Sequence, residues 1–249
     1  MSDEPDKEPR PSLGNRAAPR LAADCLSLVQ LEDLIPTCGA CPRLRRYCAD
    51  VAAKKVKRYA AWDYHGRPVP GFGDAHARVL VVGLAPAAHG ANRTGRLFTG
   101  DRSGDFLFAG LHRVGLATQA ESSGIGDGLS LHGVYISVAG RCAPPANRPT
   151  PAELGRCLAF LRQELVLLTD VRVVLALGGL AHAAVLAATD TARCAFAHGG
   201  EHALPKDRVL LDCYHVSQQN TFTGRLTPAM LDSVLQRARQ IAGLSASGL

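Results

Sequence analysis

Four short runs of unbroken apolar residues limit what this chain can fold into more than any other feature. They are Arg78–Leu84 (RVLVVGL), Val134–Val138 (VYISV), Val171–Leu177 (VRVVLAL) and Val209–Tyr214 (VLLDCY). A strand with one wet face alternates polar and apolar residues, and these runs do not. Their continuity predicts strands covered on both faces, as in a parallel sheet. Helical patterns separate them. Ser103–Leu116 sets Phe106, Leu107, Leu111 and Val114 at helical spacing. Residues 151–168 follow Thr150, with Pro151 first and Glu153 third, the pattern of a capping box. Leu180–Ala188 is Ala-rich, and Thr227-Pro228 opens a last helix to about Ala242. Strands alternating with helices give an α/β fold, a three-layer α/β/α domain around a central four-stranded, mainly parallel sheet. Residues 1–22 are rich in charge, Pro and small side chains and read as a disordered tail, leaving 23–249 as a single domain.

Sheets of this kind gather ligands at the carboxyl ends of their strands, and three unusual segments fall there. After the first run comes GLAPAAHGANRTGRLFTGD, Gly83 to Asp101, with four Gly and one Pro. Such a loop can bring backbone N–H groups against a ligand, or be a plain surface loop that takes phosphate. After the second run comes RCAPPANRP, from Arg141. After the fourth comes HVSQQNTFTGRLT, His215 to Thr227. His215 reads either as a ligand contact or as a structural histidine. The neutral hydrogen-bonding groups after it, with Arg225, suit phosphates and bases.

Eight cysteines sit in a chain with no apolar leader and no long uncharged apolar run. We expect a cytoplasmic, reducing location, no membrane segment, and thiols or metal ligands rather than disulfides. Cys38-x2-Cys41 with the distant Cys142 and Cys157 can complete a four-Cys site for zinc or for a [4Fe–4S] cluster, and spacing does not choose between them. Cys48 is a rival ligand. From Arg43 to Arg58 there are seven basic residues and one acidic residue. That stretch reads as a solvated helix face or as a track for a phosphate backbone. The net charge of +6 is compatible with a polyanionic partner and does not single one out.

Taken together, GLAPAAHGANRTGRLFTGD, RCAPPANRPTPAE and HVSQQNTFTGRLT, with CGACPRL at Cys38 and PVPGFGD at Pro68–Asp74, resemble the family 5, B-type, iron–sulfur uracil-DNA glycosylases. The resemblance spans about residues 30–243 and implies a monofunctional enzyme of base excision repair. Its substrate would be DNA containing uracil, or other deaminated bases such as hypoxanthine, and it would act as a monomer. The implied [4Fe–4S] ligands are Cys38, Cys41, Cys142 and Cys157. Gly83, Ala85 and Ala87 would wall the base pocket, Phe98 would stack on the flipped base and His215 would meet the pyrimidine O2. Asp101 and Asn147 would be the catalytic polar residues. Gln218, Asn220 and Arg225 would contact DNA. Where other families of these enzymes carry an Asp or Asn in the first motif, this chain has Ala85-Pro86-Ala87-Ala88, which leaves Asp101 as its acid. Asp before a helix is also a common cap. A zinc-stapled nucleic-acid-binding module without catalysis is the competing reading.

Overall fold

The computed structural model describes residues 14–245. Among the described residues six strands form one sheet: β1 (Phe72–Gly73), β2 (Val79–Gly83), β3 (Val134–Val138), β4 (Val173–Leu177), β5 (Glu201–Leu204) and β6 (Arg208–Cys213). Their order is β1-β3-β2-β4-β6-β5. The four expected strands form the parallel centre, while β1 and β5 pair antiparallel at the two edges. The expected count of four is therefore corrected to six. The edges escaped notice because neither has an apolar run: β1 has two residues, and of β5 only Leu204 is buried.

Nine α-helices are described: α1 (Ala18–Leu21), α2 (Leu28–Leu34), α3 (Pro42–Lys54), α4 (Ala91–Thr94), α5 (Arg102–Arg113), α6 (Pro151–Leu167), α7 (Gly179–Ala188), α8 (Gln218–Phe222) and α9 (Pro228–Ile241). All residues of β2, β3 and β4 are buried, because helices cover both faces. Val79, Val81, Ile136 and Leu175 point to one side, where α5 and α9 bring Leu107, Phe108, Leu231 and Leu235. Leu80, Val82, Val174 and Leu210 point to the other, where α6 and α7 bring Leu161, Leu165, Ala181 and Val185. Alternate side chains thus feed two cores, which is the three-layer arrangement.

From Gly14 onward the expected disordered tail is folded. Asn15 bridges to Cys38, and Ala18 and Ala22 pack with Leu31, Ile35 and Phe160 over α6. The small residues that looked featureless are the ones that let α1 lie close to its neighbours. The rest of that predicted tail, residues 1–13, lies outside the described residues. Among the described residues no helix is long and apolar enough to cross a membrane.

The chain passes from β2 to β3 on one side and then crosses to β4 on the other. Winding reverses at β2, so the crevice this topology creates opens beyond Gly83. Further along the sheet, buried Asp212 accepts hydrogen bonds from His182 Nδ1 at 2.8 Å, His202 Nε2 at 3.2 Å and Ala197 N at 3.3 Å. Those bonds tie α7, β5 and β6 together away from the crevice.

Helix α6 starts with the expected capping box. Glu153 N donates to Thr150 Oγ1 at 3.3 Å, and Thr150 N donates to Glu153 Oε2 at 2.8 Å. Arg43 on α3 closes a two-pronged ion pair on the same carboxylate at 2.8 and 2.7 Å. Thr150→Ala removes one bond of the box, and we expect a loss of about 1 kcal/mol. In urea unfolding this should appear as a lower midpoint at unchanged slope.

Candidate active site and cysteine cluster

A cavity of about 540 Å³ opens beyond the carboxyl end of β2, lined by Leu84–Ala87, Phe98, Asp101, Asn147, His215 and Ser217–Gln219 among others. Two glycines decide where Phe98 sits. A Cβ on Gly83 would lie 2.5 Å from Phe98 Cζ, and one on Gly104 would lie 1.6 Å from the Phe98 carbonyl oxygen. Phe98 itself has φ of 52°, a left-handed conformation that a bulky residue keeps only when its surroundings enforce it. The ring thus lies against the end of β2 and walls the cavity. Gly83 sits behind it, whereas Ala85 and Ala87 face the space directly.

His215 follows β6. Its imidazole makes no hydrogen bond within the described residues and borders the cavity. Burial lowers its pKa below the ordinary 6.5, so it is a neutral ring at neutral pH. Gly178, at φ of 93°, gives it room, since a Cβ there would lie 3.1 Å from His215 Cβ. Asn220 Nδ2 donates to the His215 carbonyl at 2.8 Å, so this amide, expected on DNA, fastens the loop to its own helix. Gln218 borders the cavity, and exposed Arg225 lies over the Tyr214 ring at 4.6 Å. Gln219, from the polar run after His215, also lines the space, as do Arg102 and Ser103, which the sequence reading did not place there. Arg102 occupies the first position of α5, directly after Asp101, a signal present in the sequence.

Asp101 caps α5. Its Oδ1 accepts from Ser103 N at 2.9 Å and Gly104 N at 3.1 Å. Oδ2 makes no hydrogen bond within the described residues and fills the space a Gly90 side chain would take, where a Cβ would come within 2.1 Å. Burial raises the pKa of this carboxyl, opposed by the two amide bonds and by Arg93. Asn147 stands across the cavity in a tight bend in which both Ala146 and Asn147 are left-handed, at φ of 52° and 56°. The cap expectation and the placement of the acid in the cavity therefore hold together: one oxygen caps, the other remains uncommitted.

Cys38, Cys41, Cys142 and Cys157 are buried and none is in a disulfide. Cys38 follows the 3-10 turn Ile35–Thr37, Cys41 precedes α3, Cys142 follows β3 and Cys157 lies on α6. The thiols lie within electrostatic reach of one another: Cys38 and Cys41 both act on Cys157, and Cys157 acts on Cys142. Buried N–H groups of Arg45 and Arg141 lack partners, and both guanidiniums act on the cysteines. Four buried thiols beside guanidinium N–H groups without partners form a donor set that could hold an anionic metal–sulfur group or a metal ion. Cys48, a buried thiol packed with Cys41 and Cys142, donates to the Ala143 carbonyl at 3.6 Å. The basic stretch divides. Arg43 is held by Glu153 and Arg45 by the Gly66 carbonyl at 3.1 Å, while Lys54, Lys57 and Arg58 are exposed.

Residues 70–239 match the family described as the Uracil DNA glycosylase superfamily. The chain is similar to the type-5 uracil-DNA glycosylase of Mycobacterium tuberculosis, 49% identical over 228 residues, covering 90% of this chain and 85% of that one. It is 50% identical over 212 residues to the type-5 uracil-DNA glycosylase of Thermus thermophilus, covering 84% and 96%. The type-4 uracil-DNA glycosylase of Pyrobaculum aerophilum is 30% identical over 150 residues, 60% of either chain.

Asp101→Ala deletes the α5 cap and should cost about 0.5–2 kcal/mol. Asp101→Asn keeps an oxygen for both amides and sheds the charge. Because burial raises the native pKa above the ordinary 3.8, the carboxyl favours the fold most when protonated. Wild type should therefore lose stability relative to Asp101→Asn as pH rises from below 3.8 through the raised native value. Denaturant titrations of both proteins at several pH values check this.

Proposed function

The chain belongs to the type-5 branch of the uracil-DNA glycosylase superfamily, and on that footing we propose that it is a monofunctional DNA glycosylase whose chemistry rests on His215. The carrying observation is an imidazole with no hydrogen-bond partner among the described residues, beside a cavity that Phe98 walls with an aromatic face. A base inside a duplex must first leave the stack, at a cost of a few kcal/mol. Phe98 offsets part of that cost by stacking, and the backbone of Ala85–Ala87 meets the base edge. Cleavage of the C1′–N bond leaves negative charge on the pyrimidine and positive charge on the sugar. An N–H of His215 donated to O2 stabilises the first in a site sheltered from water. The uncommitted Oδ2 of Asp101 stabilises the second or orients the water, with Asn147 holding that water from across the cavity. Gln218 and Arg225 meet the DNA beside the vacated position.

Small side chains at Ala85 and Ala87 leave width for hypoxanthine as well as uracil. Among the described residues no lysine lines the cavity, so the residues present support hydrolysis to an abasic site rather than an imine with the sugar. Cys38, Cys41, Cys142 and Cys157 would hold a [4Fe–4S] cluster, whose contribution is to cross-link the N-terminal segment, the loop after β3 and α6.

The test uses labelled duplexes with uracil, hypoxanthine or only normal bases, followed by alkali. Wild type should give cleavage after alkali at the first two alone, and cleavage without alkali would overturn the monofunctional reading. His215→Ala should keep its melting temperature and slow single-turnover excision about 100–1,000-fold. For the cysteines, Cys→Ala at position 38, 41, 142 or 157 should lower iron content and stability together, because metal-binding energy is also folding energy. Cys48→Ala should keep its iron. Retention by Cys157→Ala with loss in Cys48→Ala would reassign the fourth ligand.

A further inference from the structure

We propose that a second cavity, beside the base pocket, holds the nucleotide next to the lesion on the same strand, with its phosphate on Arg58 and its sugar or base against Tyr47. This assignment rests on the DNA glycosylase reading above. The second cavity measures about 330 Å³ and shares Ala87, Asp101 and Asn147 with the first. A strand whose base enters the first space must therefore carry its next unit along this wall. Tyr47, Arg58, His89 and Ala146 are among the other residues that line it.

The chemistry of the lining matches one nucleotide unit. Arg58 follows α3 in the 3-10 turn Lys57–Tyr59, and it makes no ion pair or hydrogen bond within the described residues. Its guanidinium is steadied 4.3 Å above the Tyr59 ring, leaving its N–H fork free at the mouth. Tyr59 is in turn fixed by buried Arg93, which stacks on it at 3.8 Å and on Trp62 at 4.2 Å. Arg93 also donates to the carbonyls of His89 at 2.8 Å and Gly100 at 3.1 Å, so Arg58 is referenced to the same loop that carries Asp101. His89 bonds through Nδ1 to the Tyr64 hydroxyl at 3.0 Å and stays neutral, its pKa lowered by burial and by Arg58 and Arg93. Among the described residues Arg58 is then the one cation lining this cavity, and the Asp101 carboxylate at the inner end keeps a phosphate at the mouth. Tyr47 packs from behind on the apolar cluster of Cys41, Leu44, Cys48 and Cys142, which fixes its ring for stacking.

The experiment measures equilibrium binding to duplexes with a non-cleavable 2′-fluoro-deoxyuridine. A series replaces each flanking phosphate in turn by neutral methylphosphonate. At one position adjoining the lesion, wild type should weaken by about tenfold, as for a lost charge-assisted bond. Arg58→Gln should weaken on unmodified DNA by a similar factor, ignore the replacement at that position and respond normally elsewhere. Its slope of log affinity against log salt should fall by about 0.9. Arg58 is exposed, so melting should not change. If every replacement weakens Arg58→Gln as much as wild type, or the salt slope does not move, the assignment is overturned. Excision of uracil from unmodified duplex by the same preparation separates the two failures: with excision present only this subsite falls, and without it the glycosylase reading falls too.

Discussion

The contact on which the site depends is the clamping of Phe98 between two missing side chains. Gly83 lets the ring lie on the end of the central strand, and Gly104 lets the first turn of α5 press on the Phe98 carbonyl. Together they hold a left-handed phenylalanine that costs on the order of 1–3 kcal/mol locally. That strain is supported by the sheet on one side and the capped helix on the other. Because Asp101 caps that helix, the aromatic wall and the acid are set by one rigid unit. A shift of either would carry the other with it.

The cysteine region serves the same site from the opposite flank. Arg43 on α3 grips Glu153 at the start of α6, and Glu153 belongs to the capping box there. The Arg43 pair, Arg45 and Tyr47 all lie within one helix that begins directly after Cys41. That helix, and with it the Tyr47 wall of the second cavity, starts at the four buried thiols. An Arg–carboxylate pair half open to solvent contributes little by itself. Its use here is geometric, because it sets α3 in register with the loop that ends in Asn147.

Much of this was legible from residue order. Continuous apolar runs located β2, β3, β4 and β6, and the Thr150–Glu153 spacing located the start of α6. The rule of carboxyl ends pointed to the segments after β2, β3 and β6, the family resemblance named Ala85, Phe98, Asp101, Asn147 and His215 within them, and these five line one cavity. What escaped was set by long-range contact. The strands β1 and β5 exist because β3 and β6 offer unpaired backbone, a fact absent from their own side chains. The order in Gly14–Ala22 comes from α6, far away in sequence. Residue order does not show that Asn220 Nδ2 donates to the His215 carbonyl, nor that Glu153 and the Gly66 carbonyl hold Arg43 and Arg45 within the basic stretch.

The sheet's two borders have a consequence for how the chain goes wrong. A long flat border is a template on which another chain can add a strand. Here one border is two residues long and the other four, with Glu201 held by Arg237 at its start and Pro205 just beyond its end. Neither offers enough open backbone for that. The apolar surface at risk instead lies under α1 and α2, where Ala18, Leu31, Ile35 and Phe160 meet beside Cys38. A molecule that loses its grip there sheds a sticky helical flap while its strands stay paired. Its aggregates should be amorphous and dissolve in mild denaturant, without the 4.7 Å fibre repeat of stacked strands.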